Sequence, residues 1–157
     1  MENISNRALI SRLYSSADQQ LQDAEYDIES WSQWYQAVQN LTRPEKVVYV
    51  IVKLNQTVTS GGFTEFHEGS FGVFAPEIIH VLNEINAVAT ANIVSNSLPI
   101  VNPAGLLDDA YKAVIFKPKF SEKQRAELYA QDIQYDQLQD AENLEDLLGA
   151  YLQDMIK

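Results

Sequence analysis

Hydrophobic residues recur every three or four positions along most of the chain. This spacing places them on one face of an α-helix. Three of these sets are Ile10, Leu13, Ala17 and Leu21; Trp31, Trp34, Tyr35, Val38 and Leu41; and Ala141, Leu144, Leu148, Tyr151 and Met155. The pattern predicts amphipathic helices at both ends of the chain.

The run KVVYVIVKL, residues 46–54, fits a strand or a helix. Its many β-branched residues favour a strand. The spacing of Val47, Ile51, Leu54 and Val58 is helical, and the pattern is longer than a typical strand. We therefore predict a buried helix that begins near Pro44, a residue suited to the first helical turn.

Further helices are predicted in the second half of the chain. One begins at Ala75-Pro76-Glu77 and continues with inner-face residues as far as Ile93. A loop with two prolines follows at 97–105, then a short helix at about 106–116 that ends before Lys117-Pro118-Lys119. A capping box from Ser121 to Gln124 begins a helix that reaches about residue 133. The chain is thus predicted to be one all-α domain over residues 1–157, with about seven helices.

Composition restricts the possible functions. The 157 residues include no cysteine, which excludes disulfides and thiolate metal sites. No apolar leader or membrane-spanning run is recognisable, so we expect a soluble cytoplasmic protein. The net charge of -11 lies outside the magnitude of about 2–8 that is usual for a small domain. We expect it to repel nucleic acid and membranes, and to attract basic proteins.

The acidic residues are concentrated at the two ends of the chain. No lysine or arginine lies between residues 13 and 42 or between 126 and 156, whereas five of the eleven bases lie between 112 and 125. This segregation indicates a negative surface that binds a partner, although a solvated face that only maintains solubility stays an alternative. The predicted partner-binding residues are Asp132, Asp136, Asp140, Glu142, Glu145 and Asp146.

The stretch TVTSGGFTEFHEGSFGVFAPE, residues 57–77, is rich in glycine and phenylalanine. Gly61-Gly62 predicts the end of a helix, and Phe63 and Phe66 are spaced to fill one corner of the core. A phosphate-binding loop is not indicated. The Gly-Lys-Ser/Thr ending is missing, and no base lies between Lys53 and Lys112.

The segment VTSGGFTEFHEGSFG, residues 58–72, resembles the signature of the DNA-mimic-protein-like family, a domain of unknown function. The resemblance extends over about residues 43–155. It implies an all-helical fold, on which we expect the helices of residues 3–42 to pack, and an acidic surface that imitates DNA for a basic DNA-binding protein. The matching positions are Val58, Gly61, Gly62, Phe63, Phe66, Ser70 and Gly72; the departures are Thr57, Ser60, Glu65, His67 and Gly69.

Two other hypotheses remain beside this non-enzymatic one. A helical enzyme or ligand-binding domain would use His67, His80 and Glu84, of which the last two share a helix face. No HExxH motif accompanies them, so neither metal nor cofactor is expected. A homodimer would instead bring the basic stretch 112–125 of one chain to the acidic end of another.

Overall fold

The computed structural model describes residues 4–23, 31–69, 71–116 and 120–155. Every regular element in these ranges is helical, which confirms the all-α prediction. The helices are α1 (Asn6–Asp23), α2 (Trp31–Gln39), α3 (Arg43–Glu68), α4 (Ala75–Glu84), α5 (Val88–Val101), α6 (Asp108–Phe116), α7 (Glu122–Leu138) and α8 (Leu144–Met155), with a 3-10 turn at Phe71–Phe74.

The chain divides into two compact units. The first unit comprises Met1–Val52 with Leu144–Lys157, and the second unit comprises Lys53–Asn143. Within the first, α1 packs against α8; within the second, α5 packs against α4 and α7. The assignment of residues 1–157 to one domain stays a prediction.

Helix α3 confirms that the run 46–54 is helical and buried. Its start is fixed by Glu45, which accepts hydrogen bonds from the N–H and hydroxyl of Thr42 and, from α1, the side chains of Ser16 and Gln20. Burial raises the pKa of Glu45, but these hydrogen bonds outweigh it and leave the pKa below its usual value. One buried acid of this acidic chain therefore stabilises a helix start.

Several predicted boundaries in the second half are wrong. The helix expected to run from Ala75 to Ile93 is two helices, separated where Asn86 adopts a φ of 69°. The predicted loop 97–105 begins as helix, because α5 continues to Val101 with Pro99 inside it. Pro99 has no N–H to bond the carbonyl of Ser95, but both residues are exposed, so water can bond this carbonyl instead.

Two other boundaries concern the last helices. Helix α7 ends at Leu138 rather than near residue 133, and Ala141 precedes α8 instead of lying in it. The capping box at Ser121 and Gln124 is confirmed, with both reciprocal hydrogen bonds present. The breaker Lys117-Pro118-Lys119 and Ser70 of the glycine-rich stretch lie outside the described residues.

Candidate partner-binding site on helix α7

Helix α3 breaks at Gly62, and Asp132 of α7 caps the segment that follows. Gly62 has φ 76° and ψ -175°, a conformation that essentially only glycine adopts. The N–H of Phe63 donates to Oδ1 of Asp132 at 2.7 Å. A distant side chain thus replaces the local residue that would normally cap a helix start. Burial raises the pKa of Asp132, and this hydrogen bond opposes the rise.

A cavity of about 380 Å³ lies beside this break; we call it the Gly62 cavity. Its volume is at the lower end of the range of about 300–1,000 Å³ typical of ligand pockets. Tyr129 and Ile133 are 63% and 44% exposed, whereas Tyr135 is buried. The lining residues are 58–62 of α3 and Tyr129, Asp132, Ile133, Tyr135 and Asp136 of α7.

Glu142, which lies between α7 and α8 in the chain, caps the start of α5. Its two carboxylate oxygens accept hydrogen bonds from the N–H groups of Ala89 at 3.1 Å and Thr90 at 2.8 Å. These are among the first N–H groups of α5, which have no acceptor within their own helix. Since Ala87 at the N-cap position makes no side-chain cap, Glu142 supplies it from more than 50 residues away.

The other predicted partner-binding acids are more exposed. Asp136 lies on α7, and Asp140 follows the end of that helix. Glu145 and Asp146 belong to the first unit, in the first turn of α8, where the helix dipole favours negative charge. Oε1 of Glu145 also lies 3.5 Å from Nε of the exposed Arg7.

The structure therefore brings Asp132 and Asp136 together at the Gly62 cavity and places Glu142 at a helix cap. The binding role of all six acids stays a prediction.

A family model described as DMP19-like protein matches residues 39–155. The chain belongs to the DMP19-like protein family. The match confirms the resemblance drawn from residues 58–72, and it begins four residues before the expected range of 43–155. Searches of curated proteins and of solved structures gave no match. No helix in the described ranges is long and apolar enough to cross a membrane.

Phe63, Phe66 and Gly72 of this DMP19-like chain lie in the core. Phe63 and Phe66 are fully buried, and their rings meet edge to face at 6.2 Å. Tyr135 of α7 contacts Phe63 in the same manner at 5.8 Å. A Cβ on Gly72 would lie 2.4 Å from Nδ1 of His67, so only glycine fits at this position. The structural role of Gly61, Gly62, Phe63, Phe66 and Gly72 stays a prediction, and these contacts involve three of them, Phe63, Phe66 and Gly72.

The two histidines of the DMP19-like chain differ in their surroundings. His67 is buried, with Nε2 at 3.0 Å from Oγ of Ser97. Because the Ser97 hydroxyl donates to the carbonyl of Val94, the Nε2 nitrogen must carry the proton. Burial lowers the pKa of His67 to about 3, so the ring is neutral.

The other two residues of the histidine hypothesis, His80 and Glu84, are exposed. In the described ranges, no group of three or more His, Cys, Asp or Glu side chains could hold a metal. None of His67, His80 and Glu84 lines the Gly62 cavity.

Sequence reasoning missed the apolar part of the candidate site. The predicted binding residues of this segment are all acids, because charge was the property that indicated them, and charge does not indicate Tyr129 or Ile133. The signal that could have grouped them is the spacing of Tyr129, Asp132, Ile133 and Asp136, which places all four on adjoining positions of one helix face.

Proposed function

We propose that this DMP19-like protein is a non-enzymatic interaction protein that binds a basic, DNA-binding protein in place of DNA. The observation that carries the proposal is the acidic segment of residues 126–156, which contains no lysine or arginine. In the second unit this segment contains the exposed residues Asp136 and Asp140, and Asp136 also lines the Gly62 cavity. Family membership is consistent with such a role.

In this proposal the protein resembles DNA in the sign and density of its charge, and not in the spacing of the phosphate groups. Acids four residues apart, such as Asp132 and Asp136, advance about 6 Å along a helix. Phosphates on one strand of duplex DNA advance about 3.4 Å. One helix therefore cannot copy a duplex, and further acids of this chain or of a second copy would have to complete the surface.

The proposal is tested by capturing proteins from a soluble bacterial lysate on the immobilised chain at low salt. Elution with rising salt should release a basic protein, because salt screens attraction between exposed charges. Duplex DNA added to the column should displace the same protein. A captured protein that is not displaced by DNA, or that remains bound at high salt, would contradict the proposal.

The dimer hypothesis receives less support, because bases of the stretch 112–125 already have partners within the chain. The guanidinium Nη2 of Arg125 lies 2.5 Å from Oε1 of Glu68. The ammonium Nζ of Lys112 lies 3.9 Å from Oδ1 of Asp109. A dimer held by this stretch would dissociate at high salt. A molar mass measured at low and high salt that equals the monomer at both would exclude it.

A further inference from the structure

We propose that the Gly62 cavity receives an arginine side chain of the partner protein and is the anchor point of the complex. The inference rests on the proposed function and adds the chemistry of recognition. It is drawn from the combination of a cavity, two carboxylates without a lysine or arginine beside them, and an exposed aromatic ring in one place.

Carboxylates are the source of negative potential in the cavity. Asp132 already accepts the Phe63 N–H with one oxygen, so the exposed Asp136 is the carboxylate best placed for an incoming cation. None of the lining residues is a lysine or arginine that would neutralise the pair. An arginine guanidinium can bond a carboxylate through two parallel N–H groups.

The backbone beside the cavity presents both ends of a helix dipole. Residues 58–61 form the last helical turn before the break at Gly62, and all of them line the cavity. Their carbonyl groups lie at the negative end of one dipole, whereas the Phe63 N–H, which Asp132 accepts, lies at the positive end of the next. The carboxylates therefore determine the sign of the potential in the cavity.

The shape of the cavity favours arginine over lysine. Tyr129 and Ile133 form an exposed apolar wall beside Asp136. A planar guanidinium stacks on an aromatic face while its edge bonds a carboxylate, whereas the strongly hydrated ammonium of lysine does not match this arrangement. Tyr129 is the residue expected to set this preference.

The test is a titration of the full ¹⁵N-labelled chain with the peptide acetyl-Gly-Arg-Gly-amide, monitored by amide chemical shifts. Saturable shifts are expected at Gly61, Gly62 and residues 129–136. The citrulline peptide has nearly the same shape without the charge and should cause none, and the lysine peptide should bind more weakly. Equal binding of the lysine peptide, or shifts spread along all acidic segments, would overturn the proposal.

Variants identify the groups that bind the peptide. Asp136→Asn should weaken the binding of the arginine peptide about tenfold, as expected for the loss of a hydrogen bond to a charged group. Tyr129→Ala should reduce the preference for arginine over lysine. Glu127→Gln is the matched control, because it removes the same charge from an exposed position of α7 that does not line the cavity, and it should bind as the unaltered chain does. Equal losses in Asp136→Asn and Glu127→Gln would show that the cavity does not anchor the arginine.

The peptide titration does not require the partner, so the two proposals can fail separately. If the cavity fails to bind the arginine peptide while the chain still captures a basic protein that DNA displaces, the result would overturn only the assignment of the cavity as the arginine site. A cavity that binds the arginine peptide in a chain that captures no such protein would overturn the proposed function and, with it, the assignment of the arginine to a partner.

Discussion

At the scale of single residues, acids with the same formal charge have different roles. Glu142 and Asp132 accept backbone N–H groups at two helix starts, whereas Asp136 and Asp140 are exposed. A buried or half-buried carboxylate with hydrogen-bond donors stabilises the fold, and an exposed one remains available to a partner. Charge reversals meant to test binding should therefore be confined to the exposed acids.

Replacement of Glu142 by alanine should destabilise the protein. Two N–H groups at the start of α5 would lose their acceptor, at a cost of about 1–2 kcal/mol in the free energy of unfolding. Urea denaturation would measure the change. Asp140→Ala is the control, since it alters an exposed acid nearby and should change stability by less than about 0.5 kcal/mol. Equal stability of the two variants would contradict the cap.

The buried His67 should make stability depend on pH. Its pKa is about 3 in the folded protein and 6.5 in an unperturbed histidine, so below pH 6.5 the unfolded chain binds a proton that the folded one does not. The stabilisation is complete above pH 6.5 and decreases as the pH falls towards 3. Between pH 6 and 5 the slope should approach about 1.4 kcal/mol per pH unit.

Urea denaturation of His67→Phe across that pH window should show a flatter dependence than the unaltered chain, because the titrating ring is gone. His80→Gln removes an exposed histidine and should keep the slope. A slope that persists in His67→Phe would show that another group titrates.

At the scale of elements, the sequence predicted features that local residues determine. The apolar spacing of α3 and the capping box at Ser121 depend on neighbours within a few positions, as does the helix end predicted at Gly61-Gly62, where the structure has a break and helix resumes as far as Glu68. The cap of α5 by Glu142 and that of Phe63 by Asp132 join residues 52 to 69 positions apart, so no local pattern could reveal them. The Gly62 cavity depends on the same long-range pairing of α3 with α7 and could not be predicted either.

Gly62→Ala should destabilise the α3 break for two reasons. The backbone conformation is strained for any residue with a Cβ, by about 1–3 kcal/mol, and the new Cβ would lie 2.2 Å from an oxygen of Asp132. Gly105→Ala is the control, because Gly105 also has a positive φ, 65°, but a Cβ there would meet nothing within 4 Å. Thermal unfolding should show a clearly larger loss for Gly62→Ala. Similar losses would mean that the Asp132 contact is unimportant.

At the scale of the whole molecule, the excess of acids over bases is the property that the proposed function uses. A net charge of -11 attracts basic proteins in general, so binding alone does not show that the surface of α7 is the site. The effect that the position of the acids has on binding must therefore be measured separately from the effect of the total charge. Two pairs of acids allow this, one in α7 and the turn that follows it, and one in α1.

The most direct test is the affinity of the captured basic protein for two double variants of equal net charge. Asp136→Lys with Asp140→Lys and Asp18→Lys with Asp23→Lys each change the net charge from -11 to -7, because each substitution adds two charges. In the α1 pair, each side chain accepts a hydrogen bond from a glutamine of the same helix. Titration calorimetry at low salt should show binding abolished by the first pair and largely retained by the second. Equal losses would mean that only total charge matters, and retained affinity in the first pair would contradict the account.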